Sequence, residues 1–207
     1  MSSPSPKAWL LRTRPRGGRG ISGAAPKRLP RLLIRRVSGE SLPRRCEKGT
    51  NMSQADVELL RPELVFFDLE ANDAQELFDG LEDRLKPLGY LKDTWRAAIG
   101  EREKNYPTGL ACPTAQIAIP HTDPVNLERP YIAIVKPKSP IKFQPMGGMG
   151  DEVEAKLVIN LGIMRDGGQV EMLQKLMGIF MDEAKSANVL SQTTSEGMVS
   201  AFGGYLA

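Results

Sequence analysis

Three apolar runs constrain the fold of this chain more than anything else in it: Leu64-Val65-Phe66-Phe67, Tyr131-Ile132-Ala133-Ile134-Val135 and Ala155-Lys156-Leu157-Val158-Ile159-Asn160-Leu161. Each reads as a buried strand, since runs of this length with so little polar alternation belong inside a sheet that is covered on both faces. Helical patterns lie around them. Asn72 or Asp73 can cap a helix in which Leu77, Leu81 and Leu85 recur at helical spacing, and Pro87 and Gly89 end it. Asp93 or Thr94 starts a second helix through Trp95, Ala98 and Ile99, carrying Arg102 near its C-terminal end. At this spacing Trp95 reads as a core residue, not a ligand-stacking one. A short strand fits Ile141-Lys142-Phe143, and Pro137, Pro140 and the run from Pro145 to Gly150 mark loops. Gly167-Gly168 precedes a helix with Val170, Leu173, Leu176, Met177 and Phe180 on its apolar side, and further helical segments follow near Ala187–Gln192 and Ser195–Tyr205. The order βααβββαα predicts one α/β domain over residues 60–207, a mixed β-sheet flanked by helices. Residues 63–207 suffice for a single core.

The other strand is the one that bears on chemistry. In Gln116-Ile117-Ala118-Ile119-Pro120-His121-Thr122-Asp123, Ile117 and Ile119 alternate with smaller neighbours, and Pro120 removes a ladder donor and ends the strand. His121, the only histidine of the 207 residues, is thereby delivered to the rim of a sheet. A lone histidine is by default structural or merely exposed, but imidazole is also the side chain best suited to group transfer near neutrality. Upstream lies Arg102-Glu103-Lys104-Asn105-Tyr106-Pro107-Thr108-Gly109-Leu110. Arg102 supplies a planar charged fork suited to phosphate oxygens, Thr108 a hydroxyl in a turn, and Gly109 a place where the main chain can come close to a ligand. Singly each has a bland explanation. Together they form a plausible phosphoryl site.

The linked motifs Arg-Glu-x-x-x-Pro-Thr-Gly-Leu and Ile-Ala-Ile-Pro-His resemble the fructose/mannitol-type (type-2) IIA domain of the bacterial phosphoenolpyruvate-dependent sugar phosphotransferase system. Tyr-Pro-Thr-Gly-Leu and Pro-His-Thr-Asp are most similar to its galactitol-specific branch. The likeness spans roughly residues 60–207. It implies the same fold and a phosphocarrier enzyme, a phosphotransferase (EC 2.7.1.-). His121 would accept a phosphoryl group through Nε2 from the phosphohistidine of the histidine-containing phosphocarrier protein and pass it to a cysteine of the IIB subunit, serving the membrane IIC subunit indirectly. Arg102 would offset charge on the transferring group and Thr108 would donate a hydrogen bond to it, with no cofactor and no metal. Related IIA domains act instead as regulatory modules that bind other proteins according to phosphorylation state, and that alternative leaves the same residues in place. Many members carry a second histidine where this chain has Gln169; the galactitol branch resembles it in that lack. The sugar lies outside what a IIA domain contacts.

Composition matters most for residues 1–51. They hold thirteen Lys or Arg against Glu40 and Glu47, a net of +11, which leaves 15 basic and 23 acidic residues beyond them, a net of −8. This Arg-, Pro-, Gly- and Ser-rich stretch has too little apolar content to build a core, so it is expected to be a disordered extension. An organelle transit peptide or a nucleic-acid arm would share its charge, but it contains no base-reading module, and nucleic acid is not an expected partner. Met52 stands where a start residue would serve, so the extension is expected to be dispensable or misassigned. No stretch approaches the roughly 20 apolar residues of a membrane span. Cys46 and Cys112 are too isolated for a structural disulfide, and a reducing cytoplasm fits. Cys112, followed by Pro113, lacks the phosphate-binding loop of a phosphorylated cysteine. One histidine and two separate cysteines give no metal-ligand cluster.

Overall fold

The computed structural model describes residues 58–206, so the expectation for residues 1–51 lies outside the described residues. In chain order the strands are β1 (Leu60–Phe66), β2 (Gly109–Ala111), β3 (Gln116–Ala118), β4 (Tyr131–Val135), β5 (Ile141–Phe143), β6 (Val153–Ala155) and β7 (Leu157–Gly162). The helices are α1 (Ala74–Leu85), α2 (Trp95–Asn105), α3 (Gly168–Phe180), α4 (Glu183–Ser191) and α5 (Ser195–Leu206).

Five strands form one mixed sheet in the order β1-β4-β7-β3-β2. β1 runs parallel to β4, β4 antiparallel to β7, β7 parallel to β3 and β3 antiparallel to β2. The inner strands β4 and β7 are buried at every residue, which is why their sequences are nearly continuous apolar runs. On one face Phe66, Tyr131, Ala133 and Val158 pack with Leu77, Phe78 and Trp95 of α1 and α2. On the other, Ile132, Ile134, Ile159 and Leu161 pack with Met172, Leu176 and Phe180 of α3 and Phe202 of α5. The result is the expected α/β domain, its sheet flanked by helices. Each fully buried large apolar side chain contributes about 1.5–3 kcal/mol to that arrangement. Trp95 is a core residue, edge-on to Phe78 with ring centroids 6.4 Å apart. Asp73 caps α1, accepting from the backbone N–H groups of Gln75 and Glu76 at 2.8 and 3.0 Å.

Some details differ from the sequence reading. The strand expected over Ala155–Leu161 is two: the chain bends at exposed Lys156, so Val153–Ala155 pairs with β5 in a separate two-stranded sheet while Leu157 onwards enters the main one. β2 is an unforeseen three-residue hairpin partner of β3, too short to show a period. On α3 the buried ladder is Met172, Leu176, Ile179 and Phe180, whereas Val170 is 61 % exposed. Both ladders are helical, and only docking against the sheet chooses between them. Among the described residues no helix is long and apolar enough to cross a membrane.

Candidate functional site

β3 delivers His121 by a short, heavily anchored extension. The Ile119 N–H donates to the Thr108 carbonyl at 3.2 Å, and the Pro120 carbonyl accepts from the Leu161 N–H at 3.0 Å and from Asn160 Nδ2 at 3.1 Å. Asn160 is a fully buried polar residue in the middle of β7, and its Oδ1 accepts from the Tyr131 hydroxyl at 2.6 Å. A buried polar group costs free energy unless satisfied, and here both ends of the amide are used. The carbonyl next to His121 is thus held by the core of the sheet.

The imidazole is itself 7 % exposed and held from both sides. Nδ1 lies 2.9 Å from the Ile119 carbonyl oxygen, which can only accept, so Nδ1 carries the hydrogen. Nε2 lies 2.6 Å from Nη2 of Arg102, which can only donate, so Nε2 presents its lone pair. Burial pushes the ring's pKa below its ordinary 6.5; the Ile119 carbonyl opposes this, Arg102 reinforces it and Asp123 opposes it. The ring is therefore neutral at pH 7, with its hydrogen on Nδ1 and its lone pair on Nε2.

Arg102 sits in the last turn of α2, where its backbone carbonyl accepts from the Tyr106 N–H at 2.7 Å. Its guanidinium carbon is 5.8 Å from the centre of the Tyr106 ring, and its Nε is buried without a hydrogen-bond partner. Arg102, Thr108 and His121 line one open cavity of about 540 Å³, together with Met146, Gly147 and Leu173. The three residues singled out in the sequence are thus brought together. Gly109 is used differently from expectation: a Cβ there would lie 2.6 Å from the Gln144 carbonyl oxygen, so the close approach it permits is to the protein's own β5–β6 connection.

Glu103 was not anticipated. It is 6 % exposed, and its two carboxylate oxygens accept from the Thr108 N–H and the Thr108 hydroxyl, each at 2.8 Å. Burial pushes its pKa up to about 7, against the pull of the Thr108 N–H, the Thr108 hydroxyl and Arg102. In sequence Glu103 is one more charged residue of a polar helix end, and only the fold of the Pro107-Thr108-Gly109 turn back onto α2 reveals its task. Gln169 donates from Nε2 to the Thr122 carbonyl at 2.7 Å, tying the start of α3 to the segment after His121. Cys112 lines a different cavity, and burial raises its thiol pKa. Among the described residues no three His, Cys, Asp or Glu side chains are grouped as a metal site requires.

The family model for the phosphoenolpyruvate-dependent sugar phosphotransferase system, EIIA 2, matches residues 58–202. The chain belongs to this family. It is 29 % identical over 106 residues to the galactitol-specific EIIA component of Escherichia coli K12, a match covering 51 % of this chain and 70 % of that one. Among solved structures the fold is shared with the nitrogen regulatory protein IIA-Ntr from Neisseria meningitidis, with TM-score 0.59 at 21 % identity, covering 74 % of this chain and 99 % of that one. It is shared also with IIA mannitol from Escherichia coli, with TM-score 0.55 at 22 % identity, covering 72 % and 99 %. The Escherichia coli IIA mannitol domain is also known in complex with phosphorylated enzyme IIB, and it matches with TM-score 0.56 at 21 % identity over 70 % of this chain and 97 % of that one. The protein is thus a type-2 EIIA component of a sugar phosphotransferase system with a galactitol-type relative.

Proposed function

We propose that the protein is the phosphocarrier IIA component of a galactitol-type sugar phosphotransferase system, and that His121 takes the phosphoryl group. The donor is the phosphohistidine of the histidine-containing phosphocarrier protein and the acceptor a cysteine of the IIB subunit, with the membrane IIC subunit served indirectly and the exchange taking place in the cytoplasm. The observation that carries this reading is the ring geometry: one nitrogen holds its hydrogen against the Ile119 carbonyl while the other, Nε2, turns its lone pair toward a cationic donor in an open cavity.

In the transfer, Nε2 attacks phosphorus as the bond from phosphorus to the donor nitrogen breaks. Nδ1 keeps its hydrogen on the Ile119 carbonyl. The phosphorylated ring is then cationic, which makes it a ready leaving group for the next transfer. Arg102 moves its donor from Nε2 to a phosphoryl oxygen, offsetting charge where it gathers. Partners as large as proteins need a surface to meet, and exposed Tyr106 and Met146, 69 % and 46 % accessible, flank the cavity mouth. The likeness to a galactitol-specific component favours transport over a purely regulatory module.

Incubation with phosphoenolpyruvate, the first enzyme of the chain and the general carrier is expected to add one phosphoryl group by intact mass, in acid-labile, alkali-stable linkage. His121→Ala should add none. Undiminished labelling of that variant would overturn the phosphocarrier and regulatory readings together. Transfer onward to a purified IIB subunit separates those two.

A further inference from the structure

Thr108 lines the cavity over His121, yet its hydroxyl hydrogen is directed away from that cavity, to Oε2 of Glu103 at 2.8 Å. A hydroxyl has one hydrogen to give, so in this arrangement it has none for a phosphoryl oxygen. Glu103 in turn lines a second cavity of about 420 Å³ beside α1. The Glu103–Thr108 hydrogen bond thus joins a residue lining the site to one lining that second cavity.

We propose that Glu103 is a positioning residue that decides which way the Thr108 hydroxyl donates. Ionised, it takes the hydroxyl hydrogen. Protonated, it donates its own hydrogen to Thr108 Oγ1 and releases the hydroxyl hydrogen to an oxygen of the phosphoryl group on His121. The inference rests on the reading of His121 as phosphoryl acceptor.

Both states keep the turn in place, because Oε1 accepts from the Thr108 N–H throughout. The step is balanced by one proton taken up from solvent, with no covalent bond altered beyond those of the phosphoryl transfer. An arriving phosphoryl group adds negative charge near the carboxylate and so favours that proton uptake. The raised pKa of Glu103, about 7, places the exchange in the physiological range. The charged group that acts on Glu103 is Arg102 on its own helix; sharing the second cavity with it are Asp73 at the start of α1, Lys104 on α2, Lys142 on β5 and Glu152 before β6. Lys142 and Glu152 pair with each other at 3.4 Å.

The test is the lifetime of phosphorylated full-length protein, loaded chemically with phosphoramidate and followed by intact mass and phosphorus NMR from pH 5.5 to 8.5. Thr108→Val should shorten the lifetime about tenfold at pH 5.5, the worth of a hydrogen bond to a charged group, and hardly at all at pH 8.5. Glu103→Gln, whose amide donates to Thr108 Oγ1 at every pH, should make the Thr108→Val effect the same tenfold throughout. A Thr108→Val effect that does not change with pH while Glu103 is present would overturn the proposal, and this holds even if Glu103→Gln fails to fold. Wild-type protein that takes no phosphoryl group on His121 would remove this proposal with the function it rests on. Wild-type loading with a flat Thr108→Val ratio removes this proposal alone.

Discussion

A single hydrogen bond joins Arg102 to Nε2 of His121, and its two ends carry different tasks. On the histidine side the arginine's charge helps to hold the ring neutral, adding to the larger effect of burial. The sign follows: a protonated ring has no lone pair at Nε2, so loss of the lone pair should slow the acceptor rate only below pH 6.5. Arg102→Ala removes the neighbouring positive charge and should move that decline to higher pH, seen in the pH–rate profile. In the proposed transfer what counts is the planar fork. Arg102→Lys keeps the charge but not the geometry, and is expected to lose about 2–4 kcal/mol of transition-state stabilisation, a rate fall of about thirtyfold or more with an unchanged melting temperature. A wild-type rate for Arg102→Lys would show that charge alone suffices. His121, Arg102 and Thr108 were legible as a set because their residue types match one chemistry and two short motifs hold them in register. Glu103 was not, since adjacent residues on a helix point about 100° apart and nothing in the sequence says which one a later turn will meet.

At the scale of elements, the strand carrying His121 is only as well placed as the hairpin beside it. β2 and β3 pair from Gly109 opposite Ala118 to Ala111 opposite Gln116, and Gly109 is pinned further by its N–H donating to the Gln144 carbonyl at 3.1 Å. That contact leaves no room for a side chain. Gly109→Ala would set a Cβ 2.6 Å from the Gln144 carbonyl oxygen and 3.0 Å from Val153, backbone on one side and a packed strand on the other. The overpacking should cost about 1–3 kcal/mol. It should be read as a melting temperature lowered by several degrees, with phosphoryl transfer slowed because Thr108 is the next residue. An unchanged melting temperature would mean that the β5–β6 connection gives way. The long strands and α1 were legible because apolar runs and a helix cap act locally. The break at Lys156 and the phase of α3 were not, because each is chosen by a neighbour distant in the chain: Gln116, whose carbonyl accepts the Lys156 N–H, and the sheet face beneath Met172.

For the whole molecule, charge divides the chain at a point near which the family match begins, with +11 over residues 1–51 and −8 beyond. We propose that the basic segment is dispensable to phosphoryl transfer, and a chain starting at Met52 is expected to keep both its melting temperature and its acceptor rate. A large loss of either, by calorimetry or by the labelling assay, would assign that segment a task. The sequence by itself determined the α/β class and the inner strands, because burial on both faces writes itself as apolar runs, and its two linked motifs singled out His121 as the proposed phosphoryl acceptor. Only the tertiary structure decided that Nδ1 holds the ring's hydrogen while Nε2 accepts from Arg102, that Asn160 and Tyr131 brace Pro120, and that Glu103 holds the Thr108 hydroxyl. Those are contacts between groups on different elements. Their energies depend on distances of a few ångströms that no spacing along the chain encodes.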